Sequence, residues 1–131
     1  HDVGQAINPL SVEGQIQGGM AMGYGCALME ELKCNAEGKV ANPTFLDYQM
    51  PTAADIPKIN TGIVESFEWT TGYGAKSIGE CSLIGITPAL QNAIYNAIGL
   101  RFNELPITAE KILQALKARA KKDKPVEDLA S

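Results

Sequence analysis

The chain is organised around one short stretch, Gly72-Tyr73-Gly74-Ala75-Lys76-Ser77-Ile78-Gly79-Glu80. Its glycines allow sharp turns and a close approach of the backbone to a ligand. Apolar residues then recur at steps of three and four from Leu83 to Ile98, which predicts a helix directly after the loop. Glu80 therefore lies where a loop opens onto a helix N-terminus, whose free N–H groups attract anions.

Two interpretations of this loop follow from the residues alone. A carboxylate held at Glu80 beside a bound anionic cofactor is positioned for proton transfer. The alternative is an ordinary turn followed by an acid at a helix start, where it interacts favourably with the helix dipole and faces solvent.

Composition and charge limit the class of protein. The chain has 131 residues, 45% of them hydrophobic and 20% charged, which suits one modest globular domain. Its formal net charge of −4 argues against nucleic-acid binding, because no basic face is available to neutralise phosphates. No apolar run reaches the length of a membrane span, so no membrane partner is expected. The start, His1-Asp2-Val3-Gly4, does not resemble a signal peptide and lacks Met, which indicates a fragment, a processed product or a trimmed chain.

The cysteines and the single histidine give no metal site built from protein ligands. Cys26, Cys34 and Cys81 are odd in number and have no Cys-x-x-Cys spacing, so neither a disulfide framework nor a zinc site is predicted. His1 is the one histidine and stands at the terminus. A reducing, cytoplasmic setting is the simplest expectation.

The order of patterns along the chain predicts an α+β fold. A long glycine-rich helix is expected from Val12 to about Met29, with Ser11 as its N-cap. A turn signal at residues 35–38 predicts a β-hairpin, and partial alternation over residues 59–69 predicts a further strand.

Two helices are expected to pack on this sheet at the C-terminal end. The first runs from about Ser82 to Gly99, with Gly99 just past its end. Pro88 either kinks it or marks its first turn. The second begins at Thr108. We assign residues 1–118 to the domain and residues 119–131 to a polar, flexible tail.

The glycine-rich helix needs a physical reason, because each glycine inside a helix costs about 1 kcal/mol relative to alanine. Close packing against another element is the expected reason from Gly18 to Gly25. A ligand against the first turn is the expected reason at Gly14 and Gln15, although Gln15 could equally be a capping-box partner. The methionines, Met22 among them, are expected to fill the core.

Two motifs, in this order along the chain, carry a resemblance to a known family. The first consists of Asp2-Val3-Gly4, Ala6-Ile7-Asn8-Pro9 and Val12-Glu13-Gly14-Gln15-Ile16-Gln17-Gly18-Gly19. The second, which precedes a helix, is Gly74-Ala75-Lys76-Ser77-Ile78-Gly79-Glu80. Together they resemble the C-terminal part of the molybdenum-binding subunit of the xanthine dehydrogenase and aldehyde oxidase family. The resemblance runs from the first residue to about Ala115. It implies that the chain is part of a larger molybdopterin-binding domain.

The resemblance also implies a cofactor, a reaction and partners. The cofactor is molybdenum held by a molybdopterin, often in its cytosine dinucleotide form. The reaction hydroxylates an aromatic N-heterocycle, purine-like or nicotinate-like, or an aldehyde, with water as the oxygen source. Iron–sulfur clusters and FAD are expected on partner chains, namely an iron–sulfur subunit and a flavin subunit, in addition to the remainder of the molybdenum subunit.

By position, the resemblance places the general base at Glu80 and a hydrogen-bonding glutamine near the metal at Gln15. It places cofactor-facing backbone at Lys76, Ser77, Ile78 and Gly79. One residue departs from the family pattern, because Cys81 stands where the family usually has proline. Cys81 is either a silent replacement, a contact to substrate or a redox-sensitive neighbour of the base. The alternative function is a non-catalytic remnant of the same fold that binds a partner chain.

Overall fold

A computed structural model describes residues 1–122 and shows a mostly helical chain. In chain order the helices are α1 (Pro9–Leu28), α2 (Cys81–Ile84), α3 (Ile86–Ile98) and α4 (Ala109–Lys122), with one 3₁₀ turn at Gly72–Gly74. The last nine residues of the predicted tail, 123–131, lie outside the described residues. The first four, 119–122, continue α4 as helix.

Helix α1 begins three residues earlier than the sequence pattern predicted. Asn8 caps the helix, and its Oδ1 accepts a hydrogen bond of 3.2 Å from the Ser11 amide. Pro9 occupies the first helical position, where its missing N–H removes no intrahelical bond and its fixed φ suits a helix. The prediction of Ser11 as the N-cap was therefore wrong.

The single helix predicted from Ser82 to Gly99 is two helices that meet at Gly85. Helix α2 has only four residues, and α3 begins again at Ile86. Pro88 lies in the first turn of α3, where a missing N–H costs little. Gly99 ends α3 as predicted: its φ is 68° and its amide donates to the Tyr95 carbonyl over 2.7 Å.

The predicted hairpin and strand are reduced to isolated bridges in the described part of the chain. Cys34 pairs with Val40 at one position only, because the Asn35 side chain accepts bonds from the Glu37 and Lys39 amides and closes a turn. Residues 59–69 pair at one point, through Val64 with Asp2. A strand paired so briefly gains little stability, and the β part of the α+β prediction is not confirmed.

The small core lies between the N-terminal segment, α1 and the loop before Glu80. Val3, Val12 and Ile16 are buried there, and Ala6, Ile63 and Ile78 pack against them. Ile107 is buried at a second point, and its amide donates to the Ala27 carbonyl over 2.7 Å. Many large apolar side chains remain exposed, including Phe45, Leu46, Trp69 and Ile84.

Across residues 1–122, none of the helices combines the length and the hydropathy that a membrane crossing requires.

Candidate active site between the glycine-rich helix and the loop before Glu80

Glycines on α1 let α2 and α3 approach its backbone. A Cβ at Gly19 would overlap the Ser82 hydroxyl, and one at Gly23 would lie 2.6 Å from Ile86 Cβ. Gly25 is similarly crowded by Glu30 and Pro51. The predicted role of close packing is therefore confirmed at Gly19, Gly23 and Gly25.

Gly18 is different, because a Cβ there would have no atom of the described chain within 4 Å. Gly14 shares this open surrounding. Packing within residues 1–122 thus explains the glycine at three positions, whereas no neighbouring atom in these residues requires glycine at positions 14 and 18. The prediction of packing over the whole of Gly18 to Gly25 was wrong at its first position.

A hollow of about 340 Å³ opens between α1 and the end of the loop. It is lined by Gln15, Gly18, Gly19, Met22, Gly79, Glu80 and Leu83. The structure therefore brings together the predicted base, the predicted glutamine and one of the predicted backbone contacts. Met22, expected to fill the core, is instead 52% exposed and faces this hollow.

The polar groups that meet in the hollow are not used by the rest of the described chain. Gln15 is exposed, and its side-chain amide has no hydrogen-bond partner among residues 1–122. Its main-chain carbonyl accepts a bond from the Ser82 hydroxyl at 3.4 Å. Glu80 is also exposed, and its carboxylate accepts no bond from those residues. A donor and an acceptor thus remain available to a ligand.

The four loop residues that precede Glu80 divide into two groups. The Lys76 amide donates to the Val3 carbonyl over 2.7 Å, and its ammonium group donates to Asp2 and to Ser66. The amides of Ser77, Ile78 and Gly79 donate to no group within residues 1–122.

Lys76, predicted as a cofactor contact, is therefore engaged within the protein. It lines, with Ile78 and Gln15, a smaller neighbouring hollow of about 170 Å³. Gln15 lines both hollows, and Ser77 lines neither.

Asp2 carries the largest electrostatic effect near the site. Hydrogen bonds from Lys76, then from Ser66 and from the Gly4 amide, hold the pKa of Asp2 well below its usual range. The sequence analysis assigned no role at the site to this residue. Its partner Ser66 gave no sequence signal, because the two residues are 64 positions apart.

The residues around the hollow fit a cofactor whose own atoms coordinate a metal ion. Within residues 1–122 no group of three His, Cys, Asp or Glu side chains could hold a metal ion. Gly18 and Gly79 leave room where side chains would project, and Gln15 and the loop amides supply donors. This combination suits a metal held by an organic cofactor rather than by protein side chains.

Comparison with known proteins identifies the family of the chain. Residues 1–57 match the molybdopterin cofactor-binding domain family. The chain is 44% identical over 115 residues, 87% of its length, to the putative xanthine dehydrogenase molybdenum-binding subunit of Escherichia coli strain K12, of which it covers 15%. The chain belongs to the xanthine dehydrogenase and aldehyde oxidase family of molybdenum-binding subunits.

Other members of this molybdenum-binding family are similar over most of the chain. The nicotine 6-hydroxylase large subunit of Paenarthrobacter nicotinovorans is 40% identical over 88% of the chain and 15% of its own length. The solved structure of quinoline 2-oxidoreductase from Pseudomonas putida 86 superposes with a TM-score of 0.79 at 32% identity, over 95% of this chain and 16% of that one. The chain spans about 15% of the length of the curated relatives it matches, so it corresponds to a segment of a molybdopterin-binding domain.

Proposed function

We propose that this chain is the part of a molybdenum hydroxylase that carries the general base, Glu80. One observation carries the proposal: Gln15 on α1 and Glu80 after the loop, far apart in sequence, line the same hollow. Both residues were assigned roles at the metal centre by the motif resemblance alone. Their convergence on one open space is an independent geometric support.

The residues of this chain would divide the work as follows. The molybdopterin, when bound, supplies the redox centre that receives electrons from the substrate. Glu80 accepts a proton there; because its carboxylate has no partner among residues 1–122, both oxygens are available as acceptors. The Gln15 amide donates a hydrogen bond and orients the group that reacts.

The loop backbone would hold the cofactor. Ser77, Ile78 and Gly79 present amides with no partner among residues 1–122, and preorganised N–H groups bind anionic or electron-rich atoms well. Lys76, whose amide and ammonium donate within the protein, contributes to this loop by fixing its start. The proposed cofactor is a molybdopterin in its cytosine dinucleotide form, which the family resemblance implies.

The substrate class and the partners follow from the family. Relatives are named for xanthine, nicotine and aldehydes, and we propose an aromatic N-heterocycle or an aldehyde as the substrate. The remainder of the molybdenum subunit completes the pocket, while an iron–sulfur subunit and a flavin subunit remove the electrons. The enzyme is proposed to be cytoplasmic.

The test is Glu80→Gln in the intact enzyme, with Glu37→Gln as the matched control. Glu37 is an exposed glutamate in the turn at residues 35–38, outside the hollow. Glutamine keeps the shape of the side chain but cannot accept the proton, so the rate of substrate oxidation should fall by about 10²-fold or more. Rapid-reaction kinetics at saturating substrate, with molybdenum content measured in the same sample, give the answer. A Glu80→Gln enzyme that keeps more than about a tenth of the wild-type rate at full metal content contradicts the proposal.

A second candidate, a non-catalytic domain that binds a partner chain, is favoured by the exposed apolar residues Phe45, Leu46 and Trp69, which are 89%, 90% and 87% exposed. Elemental analysis of the native complex separates the two. Stoichiometric molybdenum supports the hydroxylase, and its absence from a complex purified with its companion subunits supports the remnant.

A further inference from the structure

Asp2 gathers four donors from three separate parts of the chain. Its Oδ1 accepts from the Gly4 amide at 2.9 Å and from the Ser66 amide at 3.2 Å. Its Oδ2 accepts from the Ser66 hydroxyl at 2.6 Å and forms an ion pair with Lys76. Lys76 also donates to the Ser66 hydroxyl at 2.7 Å, which closes a three-membered network. The N-terminal segment, residues 64–66 and the start of the loop are thereby joined at one point.

Backbone bonds reinforce the same junction. Lys76 and Val3 form an amide-to-carbonyl bond of 2.7 Å, and the Gln5 amide donates to the Gly74 carbonyl over 2.8 Å. Gly4, with φ of 64°, allows this approach, because a Cβ there would overlap the Gly74 carbonyl. The position of Lys76 is therefore defined by both its main chain and its side chain.

The junction is connected to the hollow through the core. Ile78, two residues after Lys76, packs against the cluster of Val3, Val12 and Ile16. Ile16 is the neighbour of Gln15 on α1, and Glu80 follows Ile78 by two residues. The loop from Lys76 to Glu80 thus has one anchor at its start and one in its middle, and these anchors set where Glu80 stands relative to Gln15.

We propose that Asp2 is a positioning residue for catalysis: through its ion pair with Lys76 it holds the loop so that Glu80 and Gln15 face the same reacting group. The inference rests on the proposed function of Glu80. Lys76, the other member of this ion pair, has the same positioning role. Neither residue touches the reacting atoms, since neither lines the hollow that contains Glu80.

The first experiment is Asp2→Asn in the intact enzyme, with Asp55→Asn as the control. Asp55 is also a carboxylate bound by a nearby residue, accepting from the Thr52 amide and hydroxyl at 2.8 and 2.7 Å, but it has no bond to the loop. A displacement of about 1 Å can cost about 10²-fold in rate, so Asp2→Asn should lower kcat by about tenfold or more. KM should stay within about twofold and molybdenum content should be unchanged, whereas Asp55→Asn should leave kcat unchanged.

The decisive comparison repeats Asp2→Asn in the Glu80→Gln background. A residue that acts only by placing the Glu80 carboxylate has nothing further to lose there, so the double variant should be no slower than Glu80→Gln alone. Lys76→Met should resemble Asp2→Asn, and Lys76→Arg, which keeps a cation opposite Asp2, should restore most of the rate. If Asp2→Asn does not assemble, the two Lys76 variants decide alone.

Three results overturn the inference: a wild-type kcat in Asp2→Asn, a loss of rate that only follows a loss of molybdenum, or a further loss in the Glu80→Gln background. A failure of the proposed function is distinguishable, because it appears in Glu80→Gln itself. If Glu80→Gln is nearly inactive while Asp2→Asn is normal, only the positioning role is withdrawn.

Discussion

The Ser82 hydroxyl donates to the Gln15 carbonyl over 3.4 Å and joins the start of α2 to the first half of α1. The contact requires glycine at position 19, because a Cβ there would occupy the space of that hydroxyl. Since Glu80 precedes Ser82 by two residues, the same contact places Glu80 on the hollow that Gln15 lines. The glycine-rich helix therefore contributes to the site in two ways: it lets α2 approach its backbone closely, and it exposes part of its own surface to the hollow.

Replacing Gln15 by Ala in the intact enzyme should leave the molybdenum content nearly unchanged and slow turnover. A hydrogen bond donated in a buried site is worth about 1–3 kcal/mol when its partner is left unsatisfied, or roughly 5- to 150-fold in rate. Gln17→Ala is the control, because Gln17 is exposed on the same helix and does not line the hollow. Steady-state kinetics with metal analysis measure the effect, and identical kinetics for the two variants would reduce Gln15 to a helix-start residue.

Replacing Gly18 by Ala should reduce cofactor content, whereas replacing Gly14 by Ala should not. Neither new methyl group would contact the described chain, and each substitution should favour the helix by up to about 1 kcal/mol. Of these two glycines, Gly18 lines the hollow and Gly14 does not, so the new methyl group at position 18 alone would meet a bound cofactor. Molybdenum and pterin content of the purified enzymes are the readouts. Full occupancy in Gly18→Ala would show that the cofactor does not approach α1 there.

The chain expressed alone should associate with itself or bind an apolar dye. Its exposed side chains include Phe45, Leu46 and Trp69, and extensive apolar patches generally mark interaction sites. Sedimentation velocity over a range of concentrations measures the association, and Leu46→Lys should weaken it. A compact monomer without dye binding would mean that this surface is not an interface with the missing part of the subunit.

Acid should destabilise the enzyme partly through Asp2. The pKa of Asp2 is lowered by Lys76 and Ser66, so its contribution to the free energy of unfolding is present above the unfolded pKa of about 3.8 and is lost as pH falls towards its folded value. The lowered pKa of Asp55, bonded to Thr52, acts in the same direction. Urea unfolding of the intact enzyme between pH 6 and pH 3 should show a shallower acid loss for Asp2→Asn. An unchanged pH dependence in that variant would contradict the assignment.

Local patterns accounted for much of the helical structure. The periodicity of apolar residues located α1, α3 and α4 to within a few residues, and the left-handed glycine at position 99 ended α3 where expected. Helix α4 begins at Ala109, one residue after the predicted start at Thr108, whose hydroxyl accepts from the Lys111 amide at 3.3 Å. The start of α1 was missed because Asn-Pro favours a turn as well as a cap, and only the surrounding fold selects between them.

Strand pairing and side-chain ion pairs were predicted less well than helices. Residues 35–38 carry the turn signal of a hairpin, yet the Asn35 side chain accepts bonds from the Glu37 and Lys39 amides. The partner of Lys76 was not predicted either, because a lysine in a loop gives no sign of a carboxylate 74 residues away. Such partners depend on the whole path of the chain, which periodicity does not describe.

The sequence by itself determined the helices, the glycine-rich loop and the two motifs that carry the family resemblance, because periodicity, capping and close spacing are properties of neighbouring residues. Only the tertiary structure decided that Gln15 and Glu80 share one hollow, and that Asp2 holds Lys76. Both relationships join distant segments, and each exists because a small core and the glycines at positions 4 and 19 allow those segments to approach. The proposed chemistry therefore rests on local sequence motifs, whereas the geometry of the hollow was set by packing between parts of the chain far apart in sequence.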